Sequence, residues 1–141
     1  MGRYRELIAL WLAGEVQPPV AALVGFRLAA MEDGVALVEL QVGPQHHNPM
    51  GIVHGGIFCD LADAAMGVAF AALLEDGALF STLELQTRYV RPVREGQLVA
   101  EGRVLHRGRS VGHLACEITD EQDRVVARAA GTFLVHAAAP E

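Results

Sequence analysis

Lysine is absent from this chain. All eleven cationic side chains are arginine, and 17 acidic residues outnumber them, which gives a net charge of -6. Proteins that bind nucleic acid normally carry a basic face, so this balance argues against that class. Cysteine is also scarce. Because Cys59 and Cys116 have no metal-like spacing and lie in apolar or strand-like contexts, we interpret both as reduced core thiols of a cytosolic protein.

A long uninterrupted hydrophobic run is missing as well. The most apolar helical stretch, from Ile57 to Leu74, contains Asp60 and Asp63, which argues against a membrane span. The first fifteen residues lack a small-residue cleavage pattern and carry Glu6 inside their apolar stretch, so we expect no signal peptide. With 141 residues, 52% of them hydrophobic, the sequence predicts one globular domain over 1–141 in the cytoplasm.

The hydrophobic pattern predicts the order of the elements. A short helix over about 3–13 is expected to dock on its own domain, and Pro18-Pro19 then breaks the chain. The core, about 20–136, begins with two strands joined by a hairpin turn, continues with a long helix rich in small residues, and ends with four strands. Small residues let a backbone approach closely. We therefore predict an α+β fold in which a curved antiparallel sheet of about six strands wraps one long helix.

The segment 48–63, NPMGIVHGGIFCDLAD, leads into the long helix and carries the candidate chemistry. Gly55 and Gly56 come where the helix begins, so their free N–H groups and the helix dipole can hold a negatively charged oxygen. Asp63 lies two turns further on, inside an apolar pattern where a carboxylate is costly unless it is paired, protonated or used. This placement indicates a base or a nucleophile.

These residues resemble the signature of hotdog-fold acyl-CoA thioesterases. The similarity is greatest to the phenylacetate-pathway (PaaI-like) type, which includes the human thioesterase superfamily member two. The pattern N-x-x-G-x-x-H-G-G carries the resemblance, with the acid nine positions after the histidine, and so does T-x-x-x-x-x-R-Y-x-R-P-V over 82–93. The resemblance implies hydrolysis of acyl-CoA thioesters with phenylacetyl-like or hydroxyphenylacetyl-like acyl groups, as in phenylacetate degradation. It implies no cofactor, because coenzyme A is part of the substrate.

The resemblance also implies roles for single residues. Asn48 and His54 would orient the water or the carbonyl, and Thr82 would hydrogen-bond the water or the acid. Asp60 is the competing acid for Asp63, because residues three apart share a helix face.

Ser81 competes with Thr82, since strand neighbours point to opposite sides. Arg88, Arg91 and Arg109 are the candidates, together with Gly56, for binding coenzyme A, because arginine forms charge-assisted bonds with phosphate. The resemblance further implies a homodimer paired sheet edge to sheet edge. Its active sites would take the acid from one subunit and the glycine end of the helix from the other, and two dimers would form a tetramer.

Other classes of function remain as alternatives. A hotdog dehydratase or hydratase would act on 3-hydroxyacyl substrates with a histidine and an acid. A non-catalytic acyl-CoA binding module could keep the glycine turn but would not need the buried acid. A zinc site at His46, His47 and His54 is not expected, because their spacing is not that of metal ligands and no carboxylate accompanies them.

Overall fold

The computed structural model describes residues 3–136, so the first two and the last five residues of the predicted 1–141 domain lie outside the described residues. Three helices and six strands follow one another along this part of the chain. The helices are α1 (Arg3–Leu12), α2 (Pro19–Val24) and α3 (Gly55–Ala71), and a short 3-10 helix spans Pro44–His46. The strands are β1 (Phe26–Glu32), β2 (Val35–Val42), β3 (Leu79–Tyr89), β4 (Gly96–Arg107), β5 (Val111–Thr119) and β6 (Val125–His136).

The six strands form one sheet in the order β1-β2-β4-β5-β6-β3, with every neighbouring pair antiparallel. Helix α3 contacts all six strands, as a helix must when a sheet curves around it. The predicted α+β architecture, one long helix wrapped by a six-stranded sheet, is therefore confirmed. Strands β1 and β3 are the two edges of the sheet.

Small residues bring α3 close to the sheet. A Cβ on Gly102 of β4 would lie 2.4 Å from the Ala65 carbonyl carbon and 2.5 Å from the Met66 nitrogen, so that only glycine fits there. Ala62, Ala65 and Ala69 of α3 are fully buried against the strands. The stripe of small residues in the long helix thus serves the close packing that the sequence predicts.

Two boundaries differ from the prediction. Helix α3 ends at Ala71 rather than at Leu74, because the amides of Leu73 and Leu74 bond to carbonyls three residues back, at 3.0 and 3.2 Å, and the chain tightens into turns. Pro18-Pro19, expected to interrupt the chain, instead starts α2. Proline suits the first helical position because the N–H that it lacks would have no partner there.

The N-terminal helix docks on its own domain, as predicted. Its Ile8 and Trp11 side chains are buried, and the Trp11 ring lies 6.0 Å from the ring of Phe26 in β1. Within residues 3–136, no helix combines the length and apolar character that crossing a membrane requires.

Candidate active site

Asp63 projects from α3 toward the edge strand β3. The Thr82 hydroxyl donates a hydrogen bond of 2.8 Å to Oδ1 of Asp63, which leaves Oδ2 without that partner. Ser81 points the other way and pairs its hydroxyl with Nε2 of His136 at 2.7 Å. Of the two adjacent hydroxyls, Thr82 is therefore the one that reaches the acid.

A β-bulge in β3 decides which side chains of this strand face α3. Thr82 pairs with Phe133 of β6, but Glu84 pairs with the next residue, Thr132, so that Leu83 is the additional residue. Without the bulge, the strand alternation would turn Glu84 toward the helix. With it, Leu85, Thr87 and Tyr89 share the helix-facing side with Thr82.

Asp60 and Asp63 line one pocket of about 330 Å³ between α1, α3 and β3. Its walls are otherwise mostly apolar and comprise Tyr4, Leu7, Ile8, Trp11, Pro18, Val20, Phe26, Ala64, Gly67, Val68, Phe80 and Thr82. Burial raises the pKa of the Asp60 carboxyl, the charge of Asp63 raises it further, and His54 acts in the opposite direction. Burial and the Asp63 charge likewise raise the pKa of the Tyr4 phenol. The pocket is thus apolar with a carboxylate pair at one side.

The glycine pair stands at the start of α3, as predicted. His54 occupies the N-cap position and its carbonyl accepts the Ile57 N–H at 3.0 Å, but no side chain in the described part of the chain caps the N–H groups of Gly55 and Gly56. A Cβ on Gly56 would lie 3.2 Å from the His54 ring, which shows that the imidazole folds over the first turn. Donors at a helix N-terminus are suited to binding an oxyanion.

Tyr89, at the far end of β3 from Thr82, fixes this glycine end. Its hydroxyl donates a hydrogen bond of 3.0 Å to the Gly55 carbonyl, and its ring lies 5.8 Å from the ring of Phe58. The hydroxyl also lies 3.5 Å from Sγ of Cys59, which together with burial raises the pKa of Tyr89 to about 12. The sequence alone indicates no role for Tyr89, although the residue stands inside the R-Y-x-R-P-V pattern.

Asn48 lies in a second groove with Gly55 and Tyr89. Its Oδ1 accepts hydrogen bonds from the backbone N–H groups of Met50, at 2.9 Å, and Ile52, at 3.4 Å. This side-chain oxygen therefore shapes the loop before α3, and only the amide nitrogen is left to contact a ligand.

The three candidate arginines do not lie together within one chain. Arg91 lines the groove of Asn48 and Gly55. Arg88 is exposed, on the side of β3 that faces away from α3. Arg109 lies in the turn between β4 and β5, at the same end of the sheet as Ser81 but with β6 between them.

The histidines of the preceding loop have structural roles. Buried His46 accepts a hydrogen bond at Nδ1 from the Gly43 N–H at 2.9 Å and contacts the Val24 carbonyl through Nε2 at 2.6 Å. Nε2 of His47 contacts the Arg94 carbonyl at 2.7 Å. Residues 3–136 contain no group of three or more His, Cys, Asp or Glu side chains that could hold a metal ion.

Comparison with known proteins identifies the family of this chain. Residues 50–127 match the Thioesterase superfamily. The proofreading thioesterase EntH of Klebsiella pneumoniae is 30% identical over 85% of this chain and 88% of its own. The 1,4-dihydroxy-2-naphthoyl-CoA hydrolase of Listeria monocytogenes is 28% identical over 73% of this chain and 84% of its own. A solved structure of a phenylacetic acid degradation-related protein from Ralstonia eutropha superposes with a TM-score of 0.80 at 31% identity, covering 89% of this chain and 97% of that one.

The chain therefore belongs to the Thioesterase superfamily. It has the hotdog fold and is a thioester hydrolase of the PaaI-like type that acts on acyl-CoA.

Proposed function

We propose that this thioesterase hydrolyses acyl-CoA thioesters with aromatic acyl groups, and that Asp63 is its catalytic base or nucleophile. The N–H groups at Gly55 and Gly56 would stabilise the negative charge that develops on the thioester carbonyl oxygen. His54, folded over the first turn, and the Asn48 amide nitrogen would orient the carbonyl or the water.

The hydrogen bond from Thr82 supports this role for Asp63. It occupies Oδ1 and restrains the plane of the carboxylate of Asp63, which lines the pocket, so that Oδ2 would be the reacting oxygen. As a base, Oδ2 would take a proton from a water that attacks the carbonyl carbon, and the C–S bond would then break to give the acid and the coenzyme A thiol. As a nucleophile, Oδ2 would attack the same carbon directly and expel the coenzyme A thiolate, and water would then hydrolyse the resulting anhydride to release the acid and restore the Asp63 carboxylate.

The distance along α3 between Gly55 and Asp63 supports the further proposal that two subunits share each site. Gly55 and Asp63 are eight residues apart on one helix, so their backbones are separated by about 12 Å. A carbonyl held by N–H donors about 3 Å away cannot also be within about 3 Å of that carboxylate. The acid and the oxyanion donors that act on one substrate should therefore come from different chains.

Edge strand β3 supplies the means of pairing. It is eleven residues long, and its Leu79, Leu83 and Tyr89 side chains are more than half exposed. Long edge strands with apolar side chains tend to pair with another chain. If two copies pair β3 in antiparallel fashion about a two-fold axis, the Thr82 end of one strand comes beside the Tyr89 end of the other. We propose this homodimer, and a tetramer built from two such dimers.

The preference for aromatic acyl groups rests on relatives and on the pocket. One relative is named for a naphthoyl-CoA substrate and another for phenylacetic acid degradation. The pocket beside Asp63 has four aromatic side chains, those of Tyr4, Trp11, Phe26 and Phe80, among its walls. We also propose that the reaction needs no cofactor and takes place in the cytoplasm, in keeping with the free thiols of Cys59 and Cys116.

Thiol release from a panel of thioesters tests the proposal. The panel comprises phenylacetyl-, hydroxyphenylacetyl-, benzoyl-, hexanoyl- and palmitoyl-CoA, with and without a chelator, for wild type and Asp63→Asn. We expect the aromatic substrates to have the highest kcat/KM and the chelator to have no effect. Asp63→Asn should lower kcat about 10²–10⁴-fold while substrate still binds. Turnover by Asp63→Asn equal to that of the wild type would show that Asp63 is not part of the mechanism. Hydration of an enoyl-CoA by the wild type, without thiol release from the panel, would indicate the hydratase alternative.

A further inference from the structure

We propose that the N-terminal helix α1 determines which acyl groups this enzyme accepts, by forming the outer wall of the pocket that receives the acyl part of the thioester. This inference rests on the proposed role of Asp63 and adds the specificity element and the class of acyl group. The wall consists of Tyr4, Leu7, Ile8 and Trp11.

The position of Asp63 connects this pocket to the reaction. Asp63 and Thr82 line the same cavity as the α1 side chains, so a thioester carbonyl that lies against Asp63 has its acyl group next to α1. Phe26 and Phe80 line it as well, and the Tyr4 ring contacts the Phe80 ring edge-on with centroids 5.8 Å apart. The space beside the acid is therefore bounded by a helix that contributes no side chain to the Asp63–Thr82 pair.

Gly67 shows that the space is maintained by the absence of a side chain. It lies inside α3 and lines the pocket. Glycine inside a helix destabilises it by about 0.5–1 kcal/mol relative to alanine. A Cβ here would meet only the Phe80 ring, at 3.5 Å, which is an ordinary contact. Packing therefore does not require glycine at position 67. We attribute the glycine to the room that the acyl group needs in the pocket.

The pocket also defines the chemistry of the acyl group. Its volume of about 330 Å³ is near the lower limit of small-molecule sites, which favours a compact group of the size of one or two rings. The carboxylates of Asp60 and Asp63 would repel an acyl group that ends in its own carboxylate. We therefore expect uncharged apolar acyl groups to be accepted and dicarboxylic monothioesters such as succinyl-CoA to be rejected.

Two leucines of α1 provide a matched test. Leu7 is 47% exposed and lines the pocket, whereas Leu12 is 38% exposed and lies outside it. Leu7→Ala should enlarge the pocket and raise the ratio of kcat/KM for naphthoyl-CoA to that for phenylacetyl-CoA about tenfold. Leu12→Ala should leave this ratio at the wild-type value. Gly67→Ala should lower the ratio several-fold and raise Tm, because alanine stabilises the helix while it fills the pocket.

The outcomes separate this inference from the proposed function. If the wild type is active and Leu7→Ala and Gly67→Ala leave the ratio unchanged, or if Leu12→Ala changes it as much as Leu7→Ala does, α1 does not form the acyl pocket. If the wild type releases no thiol from any thioester, the proposed function fails. Calorimetry of the same two thioesters then tests the role of α1. A ratio of their dissociation constants that shifts toward naphthoyl-CoA in Leu7→Ala, away from it in Gly67→Ala and not at all in Leu12→Ala supports that role. Unchanged ratios in all three variants overturn it.

Discussion

The hydroxyl of Tyr89, the last residue of β3, donates a hydrogen bond of 3.0 Å to the carbonyl of Gly55, the first residue of α3. This bond links the edge strand of the sheet to the helix N-terminus that we expect to bind the thioester oxygen. The contact is close, because a Cβ on Gly55 would lie 2.9 Å from the same hydroxyl oxygen. Tyr89 therefore constrains both the position and the identity of the residue at the start of α3.

Tyr89→Phe should lower kcat with little change in KM. The variant keeps the ring against Phe58 but loses the donor to Gly55, and a neutral hydrogen bond contributes about 0.5–1.5 kcal/mol, or roughly two- to tenfold in rate. Steady-state kinetics and Tm should be measured together. A fall in Tm with unchanged kcat would mean that Tyr89 only supports the fold.

Thr82→Val should lower kcat by about ten- to a hundredfold, because it preserves the shape of the side chain and removes the donor to the Asp63 carboxylate. Thr82→Ser retains a hydroxyl and should keep most of the activity. Ser81→Ala is the neighbouring control, since Ser81 bonds to His136 and not to the acid. Equal losses in Thr82→Val and Ser81→Ala would argue against a specific role for the Thr82 bond.

Asp60→Asn should raise the stability of the protein at neutral pH. Burial and the charge of Asp63 raise the pKa of Asp60 above its ordinary value of 3.8, so the ionised form weakens folding. A raised folded-state pKa favours the native state fully below the unfolded pKa, and this contribution is lost as pH rises through the folded pKa. Wild type and variant should therefore differ in Tm at pH 7 and converge near pH 3.5. A difference that does not change with pH would contradict the electrostatic cause.

Mixtures of two inactive variants should recover activity if the sites are shared between subunits. A dimer of one Asp63→Asn chain and one Gly55→Ala chain has one site with both defects and one with neither. Random pairing of equal amounts should therefore give about a quarter of wild-type turnover. The samples should be unfolded and refolded together and compared with each variant refolded alone. No recovery, in a sample shown to contain mixed dimers, would refute the shared site.

Arg91→Gln should raise KM for acyl-CoA about tenfold and weaken its dependence on salt, because a charge-assisted bond contributes about 1.5–3 kcal/mol. Arg91 lines the groove of Gly55, whereas Arg109 lies at the other end of the sheet, in a turn separated from β3 by β6. Arg109→Gln, examined in parallel, tells whether that end also contacts the phosphates. An unchanged KM in both variants would leave Arg88 as the candidate for binding the coenzyme A phosphates.

The sequence predicted those parts of the molecule that depend on local pattern. Helical periodicity placed α1 and α3 to within a few residues, and the placement of Asp63 in an apolar helix directed attention to that acid. The glycine pair was expected at the start of α3, where the structure has it. Each of these features depends on a short stretch of the sequence.

Features that depend on pairing between distant strands could not be predicted in this way. Leu83 looks like any other strand residue, yet it is the bulged one, and its position turns both Thr82 and Tyr89 toward α3. A regular strand could present only one of them to the helix, because the two are seven residues apart. For the same reason, the sequence offered Ser81 and Thr82 as alternatives and gave Tyr89 no role.

Helix α1 has a consequence for how enzymes of this design can diversify. It precedes a short connection over 13–18, whereas Asp63, Thr82 and the glycine pair come from later segments. Mutations in Arg3–Leu12 should therefore alter the range of substrates without changing the residues that we propose as the reacting groups.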